Sequence, residues 1–257
     1  MYKALSRYEL VENIKKIPEF ELKKVFTAAG PGDDGAFIGQ PKFKAAVEKD
    51  RDGAVAVVSD KYALLQIREI FDEALRALEG EVSGKVCYYG GRGQLHVFPE
   101  GSTTGICIEN SVDRSSAVRI SFIGEVNGAT VYLPGVSKYR RLHVGKPVYE
   151  IVNFEKILAG AQETWGTIAG RLSQVPVTEE HAEGIKEGVG TKRLERVVDE
   201  FTGNGIDRHL GRSPTLWDLL LVVLKAASAS RFKSEIHRQR RLKELSNILF
   251  AYALKEG

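Results

Sequence analysis

The chain has 257 residues, 43% hydrophobic and 28% charged, with a formal net charge of only +3. That length can bury a sizeable core, and the charge excludes a polycation that grips nucleic acid by bulk electrostatics. No run of about 18 apolar residues occurs, so no transmembrane helix and no membrane partner are expected; the longest apolar run is Leu219–Leu224.

The first stretch, Met-Tyr-Lys-Ala-Leu-Ser-Arg-Tyr-Glu, carries no signal-peptide core, and a cytoplasmic setting is the expectation. Ser6 and Glu9 form a capping box, with Leu5 and Leu10 in the staple positions. Leu10, Ile14 and Ile17 mark the apolar stripe of a helix that Pro18 ends. Glu21-Leu22-Lys23 resembles the E-x-K fragment of a metal-dependent nuclease core, but no acid on an upstream strand accompanies it. Residues 30–35, Gly-Pro-Gly-Asp-Asp-Gly, formally satisfy G-x-G-x-x-G. No strand leads in, no helix follows, and Asp33 and Asp34 would repel a pyrophosphate, so this is a turn-rich linker.

From Phe43 the pattern is β. Phe43–Val47 and Ala54–Val58 flank Asp52-Gly53, a hairpin signal, and Ala63–Gln66 is a candidate extension. Ile67–Leu78 has helical spacing. Lys85–Tyr89 and Gln94–Phe98 form a second hairpin, with Arg92 on a glycine-rich tip. Gly105–Glu109 and Ala117–Ile123 pair around a polar turn, and Thr130–Leu133 adds a strand before Pro134-Gly135. Ile151–Ala169 reads as a helix. An acidic stretch with Glu179, Glu180, Glu183 and Glu187 and glycines at 184, 188 and 190 reads as a hinge or loop. Lys192–Phe201 is a short helix, and Ser213-Pro214 an N-cap pair. Leu216–Leu224 is a helix buried on most sides or lying in a subunit interface. The basic segment 225–243 either leaves the core or breaks near Ser228–Ser234, which exposes its arginines in both cases.

These elements predict an α+β fold: a central antiparallel β-meander with a packed helix, then a helical C-terminal region. The division is residues 1–148 for the α+β core and 149–257 for the helical region, with packing on the core as one domain as the alternative. The helix-on-meander layout is also that of several single-strand annealing proteins, an analogy of topology alone. The single methionine and the few Asn and Gln hint at a thermophilic source.

The residues that bear chemistry are few. The five histidines lack metal-ligand spacing, and Cys87 and Cys107 read as reduced, buried thiols, with a disulfide between neighbouring strands as the alternative. No catalytic residue, metal or cofactor is assigned. Lys138-Tyr139-Arg140-Arg141, with Lys146 close by, mixes cations with an aromatic ring, which suits phosphate contact plus base stacking or simply a solvated loop. Arg231, Lys233, Arg238 and Arg241 form a second basic group, for phosphates or as a solvated helix face. Arg92 and Arg114 add single cations on turns. Tyr88, Tyr89 and Phe98 are candidates for a stacking platform or for core. Asn110, Ser111, Asp113, Ser115 and Ser116 suit an anion, a metal or their own loop's backbone.

Asn110-Ser111-Val112-Asp113-Arg114-Ser115-Ser116-Ala117-Val118 resembles the Asn-Ser-x-Asp-Gly-Ser-Ser-Ala signature of the phage/plasmid-like proteins classed as domain of unknown function 932. Val57-Val58-Ser59-Asp60-Lys61-Tyr62, followed by a helix, resembles that family's Val-Ser-Asp-x-Tyr motif. The likeness spans about residues 45–125, with a looser one around Thr215–Trp217. Arg114 stands where glycine is usual, and Glu125-Val126-Asn127-Gly128 stands where Cys-x-Asn-Thr is expected. The resemblance implies residence on a mobile element and a cytoplasmic setting, and supplies no catalytic residues. The expectation is a nucleic-acid-binding protein of a virus or plasmid, acting on single-stranded DNA in recombination, annealing or replication. One alternative is a protein that binds a host factor or assembles as a homo-oligomer through the Leu216–Leu224 helix. The other is a metal-dependent nuclease using Glu21.

Overall fold

The computed structural model of the chain describes residues 4–28, 37–51, 53–113, 118–126, 129–141, 154–189, 192–200, 214–228 and 234–253. The expected α+β architecture is what the chain adopts. Its centre is an antiparallel meander of β5 (Val82–Tyr89), β6 (Arg92–Pro99), β7 (Thr104–Ser111), β8 (Val118–Val126) and β9 (Ala129–Arg141). The two-residue β1 (Leu5–Ser6) pairs with β5 and completes a six-stranded sheet in the order β1-β5-β6-β7-β8-β9.

The β5–β6 turn is Gly90-Gly91, with φ of 54° and 77°. Positive φ at both central residues is what a tight turn matching the strand twist demands. Arg92 is therefore the first residue of β6, flanking the turn, with its side chain 41% exposed.

Alternation along the strands gives the meander two different faces. Leu95, Val97, Ile106, Ile108, Ile120 and Phe122 are buried on one of them. Against this face lie α2 (Ile67–Ala77) and α3 (Phe154–Leu172). Glycine lets them come close: a Cβ on Gly93 would sit 2.4 Å from Ile67 Cγ2, and one on Gly124 2.7 Å from the Trp165 ring. α1 (Arg7–Ile14) starts at the expected capping box, with Ser6 N–H donating to Glu9 Oε2 at 2.8 Å, and buries Leu10 and Ile14.

The C-terminal helices are α4 (Glu179–Val189), α5 (Lys192–Glu200), α6 (Leu216–Ser228) and α7 (Glu235–Ala253). The predicted hinge at 179–190 is thus helix α4. Glutamates in its first turn suit the positive end of the helix dipole, and Ala182 and Ile185 are buried. Gly188 is there for packing, since a Cβ would lie 2.7 Å from Ile248 of α7. α6 begins two residues later than Ser213-Pro214 suggests. Thr215 N–H and Oγ1 both bond Asp218 Oδ2, at 2.9 and 2.8 Å, and Ser213 lies outside the described residues.

Leu216, Leu219, Leu220, Val223 and Leu224 are at most 1% exposed inside the chain's own core. Of the two readings of that helix, burial is the one observed, and its apolar face is not free for an oligomer interface. α6 and α7 are separate helices, which agrees with the break expected near Ser228–Ser234.

The second sheet contains β2 (Phe20–Ala28), β3 (Phe37–Glu48) and β4 (Ala54–Ser59), in the order β2-β3-β4. The β3–β4 hairpin was expected; β2 was not. The alternation Phe20-Glu21-Leu22-Lys23 is interrupted at Lys24, where the β2–β3 register shifts, and this hides the period of two. Ala63–Gln66 does not extend β4. The Gln66 side chain instead clamps the start of β2, donating to Phe20 O at 2.7 Å and accepting from Phe20 N–H at 3.0 Å. The 30–35 linker lies outside the described residues.

Candidate nucleic-acid interface

The face of the meander under α7 is polar. Lys85, Glu109, Ser121 and Tyr132 bond a helix that presents Glu235, Gln239, Lys243 and Ser246, and Gln94, His96, Cys107 and Arg119 share that face of the sheet by register. These helix positions recur at intervals of three or four and form one stripe. Lys243 Nζ lies 2.5 Å from Glu109 Oε2 and 5.4 Å from the centre of the Tyr132 ring. Lys85 pairs with Glu235 at 3.5 Å. At the centre, Tyr132 Oη donates to Gln239 Oε1 at 3.3 Å and lies 3.0 Å from His96 Nε2. Burial, with the charges of Lys85 and Lys243 adding to it, holds His96 well below the ordinary 6.5, so the ring is neutral.

Cys87 and Cys107 are free thiols on this face, separated by β6, which rules out the neighbouring-strand disulfide. Burial pushes Cys87 up to about 12 and Cys107 well above its usual value.

Where this layer opens towards solvent, a groove of about 350 Å3 runs between the sheet and α7, lined by Arg92, Gln94, Glu109, Arg119, Arg240, Lys243 and Glu244 among others. Strand register builds its floor: Gln94 is opposite Glu109, Glu109 opposite Arg119, and Arg119 opposite Arg140. Most of the charges are already paired. Arg92 Nε meets Asp113 at 2.9 Å, and Arg240 and Arg241 share Glu244 at 3.3 and 3.2 Å. Arg119 is different. Its Nε is buried with no hydrogen-bond partner among the described residues.

The predicted residues fall into three groups. Arg92 and Arg241 are near or at this groove, the second through the Glu244 it shares with Arg240. Arg238 sits on the same helix, paired with Glu235 at 3.3 Å. The side chains of Arg238 and Arg241 are each only 20% exposed, which corrects the expectation of free arginines: helix α7 returns to the sheet and packs them. Lys138, Tyr139, Arg140 and Arg141 belong to β9 and not to a loop, and register sets Tyr139, Arg140 and Arg141 opposite Ile120, Arg119 and Val118. Their side chains, like Arg114, Lys146, Arg231 and Lys233 altogether, lie outside the described residues.

The proposed aromatic platform does not form. Tyr88 and Tyr89 are successive and point to opposite faces, Tyr88 to Glu48 and Tyr89 to the His237 ring, and Phe98 is core. The signature loop bonds its own protein: Asn110 Nδ2 donates to Leu65 O at 3.0 Å, and Asp113 holds Arg92. Glu21 is paired with Lys23 at 3.2 Å. Among the described residues no three His, Cys, Asp or Glu side chains gather to hold a metal, so the nuclease reading has no acid set there.

No family model, curated protein or solved structure matches the chain. The groove therefore stands on its own geometry. Gln94 and Arg119 were not among the predicted contacts, whereas Arg240 and Lys243 belong to the basic segment 225–243 that the sequence marks. Arg119 did carry a signal, as a cation set between the apolar Val118 and Ile120 of its strand.

Proposed function

We propose that the chain binds single-stranded nucleic acid in the groove between the meander and α7. The reading keeps the setting that the signature resemblance implies: a virus- or plasmid-borne protein of recombination, annealing or replication. The observation that carries it is Arg119, a guanidinium without a partner at its buried Nε, beside Arg92, Arg240 and Lys243 and opposite Arg140 in register. An unpaired guanidinium in a cationic groove suits a phosphate, which it bonds with several donors at once.

The test is oligonucleotide affinity across a salt series. Binding should weaken steeply with salt, and Arg119→Ala should lower the log–log slope by about 0.7, the value for one phosphate contact on a single strand. Salt-insensitive binding, or none, refutes the proposal.

A second reading has its own support. Phe43 and Val57 share one face of the three-stranded sheet, Phe43 opposite Ser59 and Val57 opposite Ala45, and are 48% and 56% exposed, an apolar surface of the kind that docks a protein. Molecular mass followed in the same samples separates the two: growth with protein concentration, abolished by Phe43→Ser, without oligonucleotide binding, favours the interaction protein.

A further inference from the structure

We infer that the groove seats one nucleotide unit, with its phosphate at Arg119 and Arg240 and an amino-bearing base edge at Gln94. This deepens the nucleic-acid reading and rests on it. Gln94 is 6% exposed, and its Nε2 donates to Glu109 Oε1 at 2.7 Å. That bond fixes the amide, so Oε1 is a buried acceptor, and it has no partner among the described residues. Arg119 Nε is the matching unpartnered donor. Register puts the two residues on strands β6 and β8 with Glu109 of β7 between them, so they are about 10 Å apart. A nucleotide bridges that span from base edge to phosphate. The groove volume of about 350 Å3 is of the size that encloses a small ligand.

The charge pattern fixes which end goes where. The wall at Gln94 is rich in acceptors, because Glu109 places its carboxylate beside Oε1 while Lys243 holds the other oxygen. A phosphate is repelled there, and so are the two carbonyls of thymine or uracil. The exocyclic amine of adenine or cytosine, with two N–H groups, satisfies both acceptors. Arg240 lines the same groove, where a phosphate competes with Glu244 for it, a pair at 3.3 Å whose side chains are 69% and 46% exposed and so is readily exchanged.

The experiment titrates the full chain with oligo-dA and oligo-dT of about 12 nucleotides, a length within single-strand site sizes, and with dAMP, dTMP and inorganic phosphate. Oligo-dA should bind about tenfold tighter than oligo-dT, the worth of one buried hydrogen bond made or lost. dAMP should compete where dTMP and phosphate at equal concentration do not. Gln94→Leu should abolish the dA preference and keep dT binding, while Arg119→Leu should weaken both. Equal affinity of the unaltered protein for dA and dT overturns the inference whatever the variants do. If that equal binding is still salt-dependent, the nucleic-acid reading survives alone. Binding of dAMP without any oligonucleotide binding upholds the pocket as a free-nucleotide site and overturns the nucleic-acid reading. No binding of any probe overturns both.

Discussion

His96 is the residue whose surroundings constrain it most. Its Nε2 meets Tyr132 Oη, whose own proton goes to Gln239, so the ring donates from Nε2 and Nδ1 is left as a buried acceptor without a partner among the described residues. Charging this ring in the fold is opposed by burial first, then by Lys85 and Lys243. The unfolded chain takes up the proton near the ordinary 6.5 while the folded one does not. Below that pH the unfolded state binds more protons, so stability falls as pH drops through about 6.5 towards the depressed folded value. Melting temperature should therefore decline between pH 7 and pH 5, before carboxylates titrate, and His96→Gln should flatten that decline. A melting temperature that is level across the interval in the unaltered protein contradicts this account.

At the scale of elements, the sheet is held by close approaches that glycine permits. Gly93 brings β6 against α2, where an added methyl would meet Ile67 at 2.4 Å and the Phe71 ring at 3.1 Å. Gly93→Ala should cost about 1–3 kcal/mol by overpacking. Gly166 in the exposed part of α3 is the contrast, since a Cβ there meets nothing within 4 Å. Gly166→Ala should gain about 0.5–1 kcal/mol from helix propensity. Urea melts of the two variants should move in opposite directions, and a shared direction would mean that contact geometry does not govern these sites. The two faces of the meander differ in the same physical sense. The α2 and α3 side is apolar and close-packed. The α7 side is a hydrogen-bonded polar layer whose groups are specified by their partners and not by volume.

For the whole molecule, one buried cluster runs from Leu10 to Phe250 and includes residues of both the sheet and the C-terminal helices. Both thiols lie inside the fold, Cys87 at 3% and Cys107 at 0% exposure, and burial keeps them protonated. A thiolate reagent should leave both untouched in the native protein and react with both in guanidinium, its slow native rate reporting the opening of the core. Rapid native labelling of either thiol would show that the layer under α7 opens without unfolding.

Much of the meander was legible along the chain because alternation, Gly-Gly and the capping box act over a few residues. The period of two in β5 to β8 and the period of 3.6 in α2 needed no partner to be seen. What failed was also local. The break in alternation at Lys24 hid β2, and the glycines of α4 signalled a hinge although Gly188 serves contact with Ile248. The amino-acid order by itself determined the α+β class, the hairpins and the buried nature of the Leu216–Leu224 helix as one of two options. Tertiary structure alone decided which cations meet. Arg92, Arg119 and the helix segment that carries Arg240 and Lys243 are far apart in the chain, and antiparallel register together with the return of α7 across the sheet sets them round one groove. Register and helix docking depend on partners distant in sequence, so no local pattern could announce that Arg119 would be left with a free donor in a cationic groove.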